Sequence, residues 1–342
     1  MKRILKACFS LVLAAGMLVS AGTTGSAADA SPEWTRYPLI AHALGGIDGV
    51  DYTNSRQAFT RNYDKGHRVF EIDLSLTEDG QLVGRHDWMR YLAQKLDQEI
   101  PQEKLDEPLT LREFKSYKIL DKYTPLSFKD VAQILHEHPD VYFITDTKET
   151  DPELVKQQFT IIRDTVEQVD PAILDRLIPE IYTPQMMDTV KGIIPFKNVI
   201  FSLYLTEMTP DEIVRYVQNN QIRVVAMPPE RAQKQFLQDL NNVGAVNYVH
   251  SINEAAEVKR LMDNGVHGVY TDFLSYQDLG IDPTPLYAAA AKAANDSSGN
   301  EVQKLDAGTA DAGSSPETQD IATGAPPTVW DRLKGLFAQL LY

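Results

Sequence analysis

The chain of 342 residues predicts an α/β fold, a TIM (β/α)₈ barrel with an inserted segment after the second strand. Three observations carry that expectation. Between Pro38 and Leu279, short β-rich runs alternate with helical stretches. Eight such runs fit into roughly 240 residues, about the length a (β/α)₈ barrel needs. The first run is followed by Gly45-Gly46-Ile47-Asp48-Gly49, which does not fit the GxGxxG phosphate loop of a doubly wound sheet.

The segment 1–30 precedes the first run. Met1-Lys2-Arg3 is basic, Leu11 to Val19 is apolar, and small residues lead to Ala28-Asp29-Ala30. That order describes a secretory signal peptide and predicts a secreted or extracytoplasmic protein. The apolar run is too short for a membrane span. Cys8, inside this segment, is the only cysteine, so the exported chain has no disulfide and depends on its own core.

The eight predicted strands are Leu39–His42, Val69–Asp73, Val141–Asp146, Leu177–Tyr182, Val199–Leu203, Ile222–Ala226, Val246–His250 and Gly268–Thr271. Most are bounded by Gly, Pro, Asn or Asp. Amphipathic stretches lie between them; in 253–264, Ala255, Val258, Leu261 and Met262 share one side. Leu82–His86 reads as an extra strand directly after the second. The charged stretch from Arg90 to Lys122 then precedes a helix starting near Ser127. An excursion at the mouth of a barrel commonly shapes substrate access.

The barrel is expected over 31–287. Beyond it, an Ala run at 288–294 suggests a last helical turn, and the composition of 288–327, rich in Ala, Gly, Ser, Thr, Asp and Pro, reads as a low-complexity linker. In 328–342, Thr328 is placed to cap a helix, and Val329, Leu333, Leu336, Phe337 and Leu340 fall on one of its faces. Such a helix suits either docking on protein or contact with a membrane surface. The formal charge is −15, from 33 basic and 48 acidic residues. This balance argues against a nucleic-acid partner and against broad adhesion to anionic lipid.

The chemistry-bearing residues cluster early. Glu71 and Asp73 are two apart near a strand end, so their carboxylates share a face. Two convergent carboxylates call for a cation, and an all-oxygen donor set favours Ca²⁺ or Mg²⁺. Asp146, ending the next main strand, offers a third oxygen. Lys148, two residues on, is placed to meet a phosphate oxygen. His42 and His86 border the same spot, and two imidazoles suit a reaction that removes one proton and supplies another. Trp88, Glu180, Tyr182 and His250 are expected around the mouth as pocket residues.

In order and spacing, Ile40-Ala41-His42, Glu71-Ile72-Asp73, Leu76-Thr77-Glu78-Asp79-Gly80 and His86-Asp87 resemble the signature of the glycerophosphodiester phosphodiesterases. Thr53-Asn54-Ser55-Arg56-Gln57-Ala58-Phe59 is similar to the family's Glu-Asn-Thr-x-x-Ala-Phe, with Thr53 in place of the Glu, and Asp146-Thr147-Lys148 stands where the family has Glu-x-Lys. His250-Ser251-Ile252-Asn253 and the run from Gly265 to Asp272 resemble later family motifs. The resemblance spans roughly 38–280. It implies His42 and His86 as the acid/base pair, Glu71, Asp73 and Asp146 as metal ligands, and Lys148 as a phosphate contact. It also implies a small-molecule phosphodiester substrate, cleaved to glycerol 3-phosphate and an alcohol. One route is attack by an internal hydroxyl, giving a cyclic phosphate that water opens.

One departure stands out. The family's His-Arg-Gly is His42-Ala43-Leu44-Gly45 here, so an arginine suited to clamping phosphate is missing. Arg85 neighbours His86, but alternation along the strand points it the other way. Two rival readings follow: a phospholipase C- or D-type enzyme acting on phospholipid head groups, and a non-catalytic binding protein on the same fold.

Overall fold

The computed structural model describes residues 31–289. The leader at 1–30, the helix at 328–342 and all but the first two residues of the linker lie outside them. Nine strands and nine α-helices are found among the described residues. The strands are β1 (Leu39–Ala41), β2 (Val69–Leu76), β3 (Leu82–Gly84), β4 (Tyr142–Asp146), β5 (Leu177–Ile181), β6 (Ile200–Ser202), β7 (Val224–Met227), β8 (Val246–Val249) and β9 (Gly268–Thr271). The helices are α1 (Arg56–Asp64), α2 (Arg90–Lys95), α3 (Leu111–Ser116), α4 (Phe128–Glu137), α5 (Pro152–Val169), α6 (Pro184–Lys191), α7 (Pro210–Asn219), α8 (Lys234–Asn242) and α9 (Ala255–Asp263).

All strands except β3 pair in parallel, in the order β1-β2-β4-β5-β6-β7-β8-β9, and β9 pairs back onto β1. The sheet therefore closes as an eight-stranded barrel, as the alternation of runs predicts. Closure removes the sheet edges that would otherwise expose unpaired backbone groups. The strands are buried along nearly their whole length, as expected when helices cover the outside and side chains fill the inside.

Helix starts follow local chemistry. Ser127 and Thr209 cap α4 and α7 with reciprocal capping boxes to Asp130 and Glu212, and Asp151 caps α5 ahead of Pro152. The helix expected from Ser127 thus begins one residue later.

Four strand ends differ from the sequence expectation with consequence. β1, β5 and β8 end one residue early, leaving His42, Tyr182 and His250 on the loops at the C-terminal mouth. β2 runs on to Leu76 instead of ending at Asp73, because β3 pairs antiparallel with its extension (Leu74 with Gly84, Leu76 with Leu82). The turn between them is held by Thr77, whose hydroxyl donates to Asp79 at 2.7 Å and accepts the Gln81 N–H at 2.8 Å. The inserted segment carries α2, α3 and a small core of its own, Val83, Leu109 and Phe114.

Candidate active site

The barrel register assembles the acids. Asp73 on β2 lies directly beside Asp146 on β4, and Glu71 sits one inward position deeper on β2. One oxygen from each of the three comes within 4.8 Å of the other two. Glu71 and Asp73 are fully enclosed. Glu71 Oε2 accepts the Ala43 N–H at 2.7 Å, while Oε1 is buried with no partner. Burial and the neighbouring Asp73 push the Glu71 carboxyl well above its usual range. An orphaned carboxylate oxygen facing two further carboxylates fits a hard divalent cation, so Glu71, Asp73 and Asp146 suit the metal role.

Ala43 reaches Glu71 through an unusual turn. Ala43, Leu44 and Gly45 are consecutively left-handed, with φ of 49°, 67° and 81°. For Ala43 and Leu44 this conformation costs energy, which the surrounding contacts must offset. Gly45 has no such conflict, and any side chain there would collide with Asn62, whose amide holds the loop by donating to the Leu44 and Gly46 carbonyls. The methyl of Ala43, at the position of the family's arginine, is buried.

Both histidines are anchored by carboxylates. His42 Nδ1 donates to Asp272 Oδ1 at 2.8 Å, and Asn253 Nδ2 donates to the other Asp272 oxygen at 2.7 Å. Burial alone would lower the His42 pKa, but the Asp272 hydrogen bond and the Glu71 charge outweigh it and raise it to about 9. His86 Nδ1 donates to Asp87 Oδ2 at 2.7 Å, and Asp87 is fixed by the Tyr91 hydroxyl and the Met89 N–H. Fixing Nδ1 leaves Nε2 of each ring for proton transfer. Tyr52 stands between the two rings, edge-on, with centroids 5.0 Å from His42 and 4.8 Å from His86.

Lys148 Nζ hydrogen-bonds to both Asp73 and Asp146 instead of projecting free for a phosphate. Asn54 Nδ2 donates to Asp73 at 2.8 Å, and the Tyr182 hydroxyl donates to Asp146. Glu180 lies deep in the barrel, accepting from the Tyr270 hydroxyl at 2.6 Å, and burial raises it to about 7. His250 stacks on Tyr270 at 4.2 Å, and burial lowers it to about 3, so its ring is neutral. Trp88 lines an open cleft beside His86 while its Nε1 donates to the Leu76 carbonyl and its ring meets Phe114. Glu180, Tyr182 and His250 do not line that cleft. Arg85 points away from His86 as alternation predicts, bonding to Gln98 and the Asp87 carbonyl, so it does not replace the missing arginine.

The anchoring roles of Asp272 and Asp87, the hydroxyl-bearing ring of Tyr52 and the brace from Asn54 were not legible as site roles in the sequence. Asp272 and Asp87 stand inside the recognised motifs, but nothing in their spacing tells which ring each one holds.

A family model for the glycerophosphoryl diester phosphodiesterase family matches residues 42–275. A search of curated proteins finds no match. Among solved structures, the chain is similar to a glycerophosphodiester phosphodiesterase from Parabacteroides distasonis, at 16% identity over 74% of this chain and 98% of that one, with a TM-score of 0.57. It is also similar to a phosphodiesterase from Oleispira antarctica in complex with the product sn-glycerol-3-phosphate, at 15% identity over 75% and 97%, with a TM-score of 0.58. A third, a glycerophosphodiester phosphodiesterase from Thermotoga maritima, has 18% identity over 69% and 94%, with a TM-score of 0.51. At these identities the structural likeness establishes the fold, and the family model, matched over two thirds of the chain, establishes the kinship. The chain belongs to the glycerophosphoryl diester phosphodiesterase family.

Proposed function

We propose that this phosphoric diester hydrolase cleaves glycerophosphodiesters to glycerol 3-phosphate and an alcohol, using His42 and His86 as the acid/base pair and Ca²⁺ or Mg²⁺ at Glu71, Asp73 and Asp146. The observation that carries the reading is the pairing of two imidazoles, each anchored through Nδ1 to a carboxylate, on either side of Tyr52 above the three-acid cluster. The product named for the Oleispira relative agrees with it.

A bound divalent cation supplies electrophilic stabilisation of the charge that builds on the phosphoryl oxygens. The chain's own residues do the rest. One imidazole Nε2 takes the proton of the attacking hydroxyl, and the other returns a proton to the departing alkoxide, so the charge of the pair is conserved. Asp272 and Asp87 hold each ring in the required tautomer and stabilise it when protonated. Lys148, once released from one of its two carboxylates, would hold a phosphate oxygen through its ammonium. The Tyr52 hydroxyl is kept protonated, because burial and Asp73 push its pKa up.

Removing either imidazole is expected to lower turnover by about 10²–10⁴-fold. The check is kcat for His42→Ala and His86→Ala, with cation-induced thermal stabilisation as the folding control. Unchanged turnover in both variants would rule out the assigned pair.

A further inference from the structure

Beside His86 lies a cleft of about 260 Å³ that the metal and acid/base roles leave unused. Its walls are the extension of β2, the inserted segment, and the β4–α5 loop with the first turns of α5. Ser75, Leu76, Trp88 and Pro108 form one side, and Thr147, Glu149, Leu154 and Gln158 the other. His86 and Lys148 line its inner end, so it opens directly on the reacting centre.

The second wall is short of donors. Glu149 is only 6% exposed, yet its carboxylate has no hydrogen-bond or ion-pair partner, and its Oε2 is sealed from water. Thr147 Oγ1 and Gln158 Oε1 are likewise buried and unpartnered. The Gln158 amide is oriented by its Nε2, which donates to the Thr147 carbonyl at 3.5 Å, so Oε1 is left as an acceptor. The one cationic side chain at the cleft, Lys148, is already engaged by Asp73 and Asp146. The rim adds Asp106 and Glu107, two more acids, although Asp106 is also paired with Arg90. Buried acceptors left unpaired are rare in folded proteins and point to a partner from outside.

We propose that this cleft is the subsite for the departing alcohol and that it selects a primary ammonium, as in an ethanolamine head group, with Glu149 as its counter-ion. The proposal rests on the phosphodiesterase reading and specifies its substrate class. An ammonium brings three N–H donors to a wall whose unfilled groups are Glu149, Gln158 and Thr147. A trimethylammonium brings none, and its usual aromatic box is not built here: Trp88 is the only aromatic lining residue, and the Arg85 guanidinium already lies 5.0 Å from its ring centroid. A glycerol head group would leave the carboxylate without a counter-charge. Burial, with Asp151 nearby, raises Glu149 to about 7, which an ammonium would reverse.

The test compares kcat/KM of the full-length, metal-supplied protein on glycerophosphoethanolamine, glycerophosphocholine and glycerophosphoglycerol. The expected result is at least about tenfold preference for the ethanolamine diester over the other two, in keeping with a hydrogen bond to a charged group. That ratio should fall to near one in Glu149→Gln and recover partly in Glu149→Asp. No preference in the wild type, or the same preference in Glu149→Gln, overturns the proposal. If no diester is turned over, the phosphodiesterase reading fails, and titration with ethanolamine hydrochloride and choline chloride decides the subsite separately. Tighter ethanolammonium binding that Glu149→Gln abolishes supports it, and equal binding of the two amines, or binding that survives the substitution, overturns it.

Discussion

Glu149 is expected to affect stability as well as recognition. Its pKa is raised from 4.5 to about 7, so the folded chain binds the proton more tightly than the unfolded chain does. The stability this provides is fully present below pH 4.5 and is lost as the pH rises through 7. At pH 8 the buried, unpaired carboxylate therefore costs on the order of 3 kcal/mol. Glu149→Gln should unfold at higher urea than wild type at pH 8 and at nearly the same urea at pH 4.5. An equal offset at both values would mean that ionisation is not the cause. Such a costly group is hard to explain by folding alone, which is consistent with a binding role. The sequence made the three acids legible because Glu71 and Asp73 share a strand face. Glu149 carries no such signal, since an unpaired oxygen is a property of its surroundings and not of its residue type.

The β2–β3 hairpin is the element that brings chemistry to the mouth. Its extension past Asp73 returns the chain along the same strand, and the Arg85 N–H donates to the Asp73 carbonyl at 3.0 Å, fixing His86 relative to the acids. The extra strand was legible from Leu82-Val83-Gly84 between turn residues. Its pairing with β2, and hence the length of β2, was not, because register depends on the turn at Thr77–Gln81. The inserted segment leans on Phe114, which is buried against Trp88. Phe114→Ala should cost about 3–5 kcal/mol within that small core. Limited proteolysis is the check: cuts confined to 90–122, with the remaining barrel resistant, are expected. Cuts spread across the strands would show that the segment and barrel unfold together. On the far side of the mouth, the β1–α1 loop spends backbone strain at Ala43 and Leu44 to aim one N–H at Glu71. The substitution of the family's arginine was visible in sequence, but the left-handed turn that buries its replacement was not.

Across the molecule, the closed sheet was the most legible feature, since eight β-rich runs between helical stretches admit few other architectures. The site was half legible: residues that act from strand ends follow from periodicity, whereas Asp272 reaches His42 across 230 residues of sequence and only barrel closure joins them. Closure also seals His67, whose Nε2 donates to the Leu274 carbonyl at 3.0 Å and whose pKa burial lowers from 6.5 to about 4. The unfolded chain then binds more protons between those values. Stability from His67 is intact above pH 6.5 and declines as the pH falls through 4, by on the order of 3 kcal/mol. His67→Gln should show a flatter fall in urea midpoint from pH 7 to pH 4; identical pH slopes would contradict this.

The most direct measurement of the central claim is release of glycerol 3-phosphate from glycerophosphoethanolamine by the full-length protein, stripped with EDTA and then supplied with Ca²⁺ or Mg²⁺. No release is expected in EDTA, with restoration by one of these cations and loss of that restoration in Asp73→Asn, which breaks the donor set at its centre. Release that persists in EDTA, or folded protein that stays inactive with either cation, would contradict it.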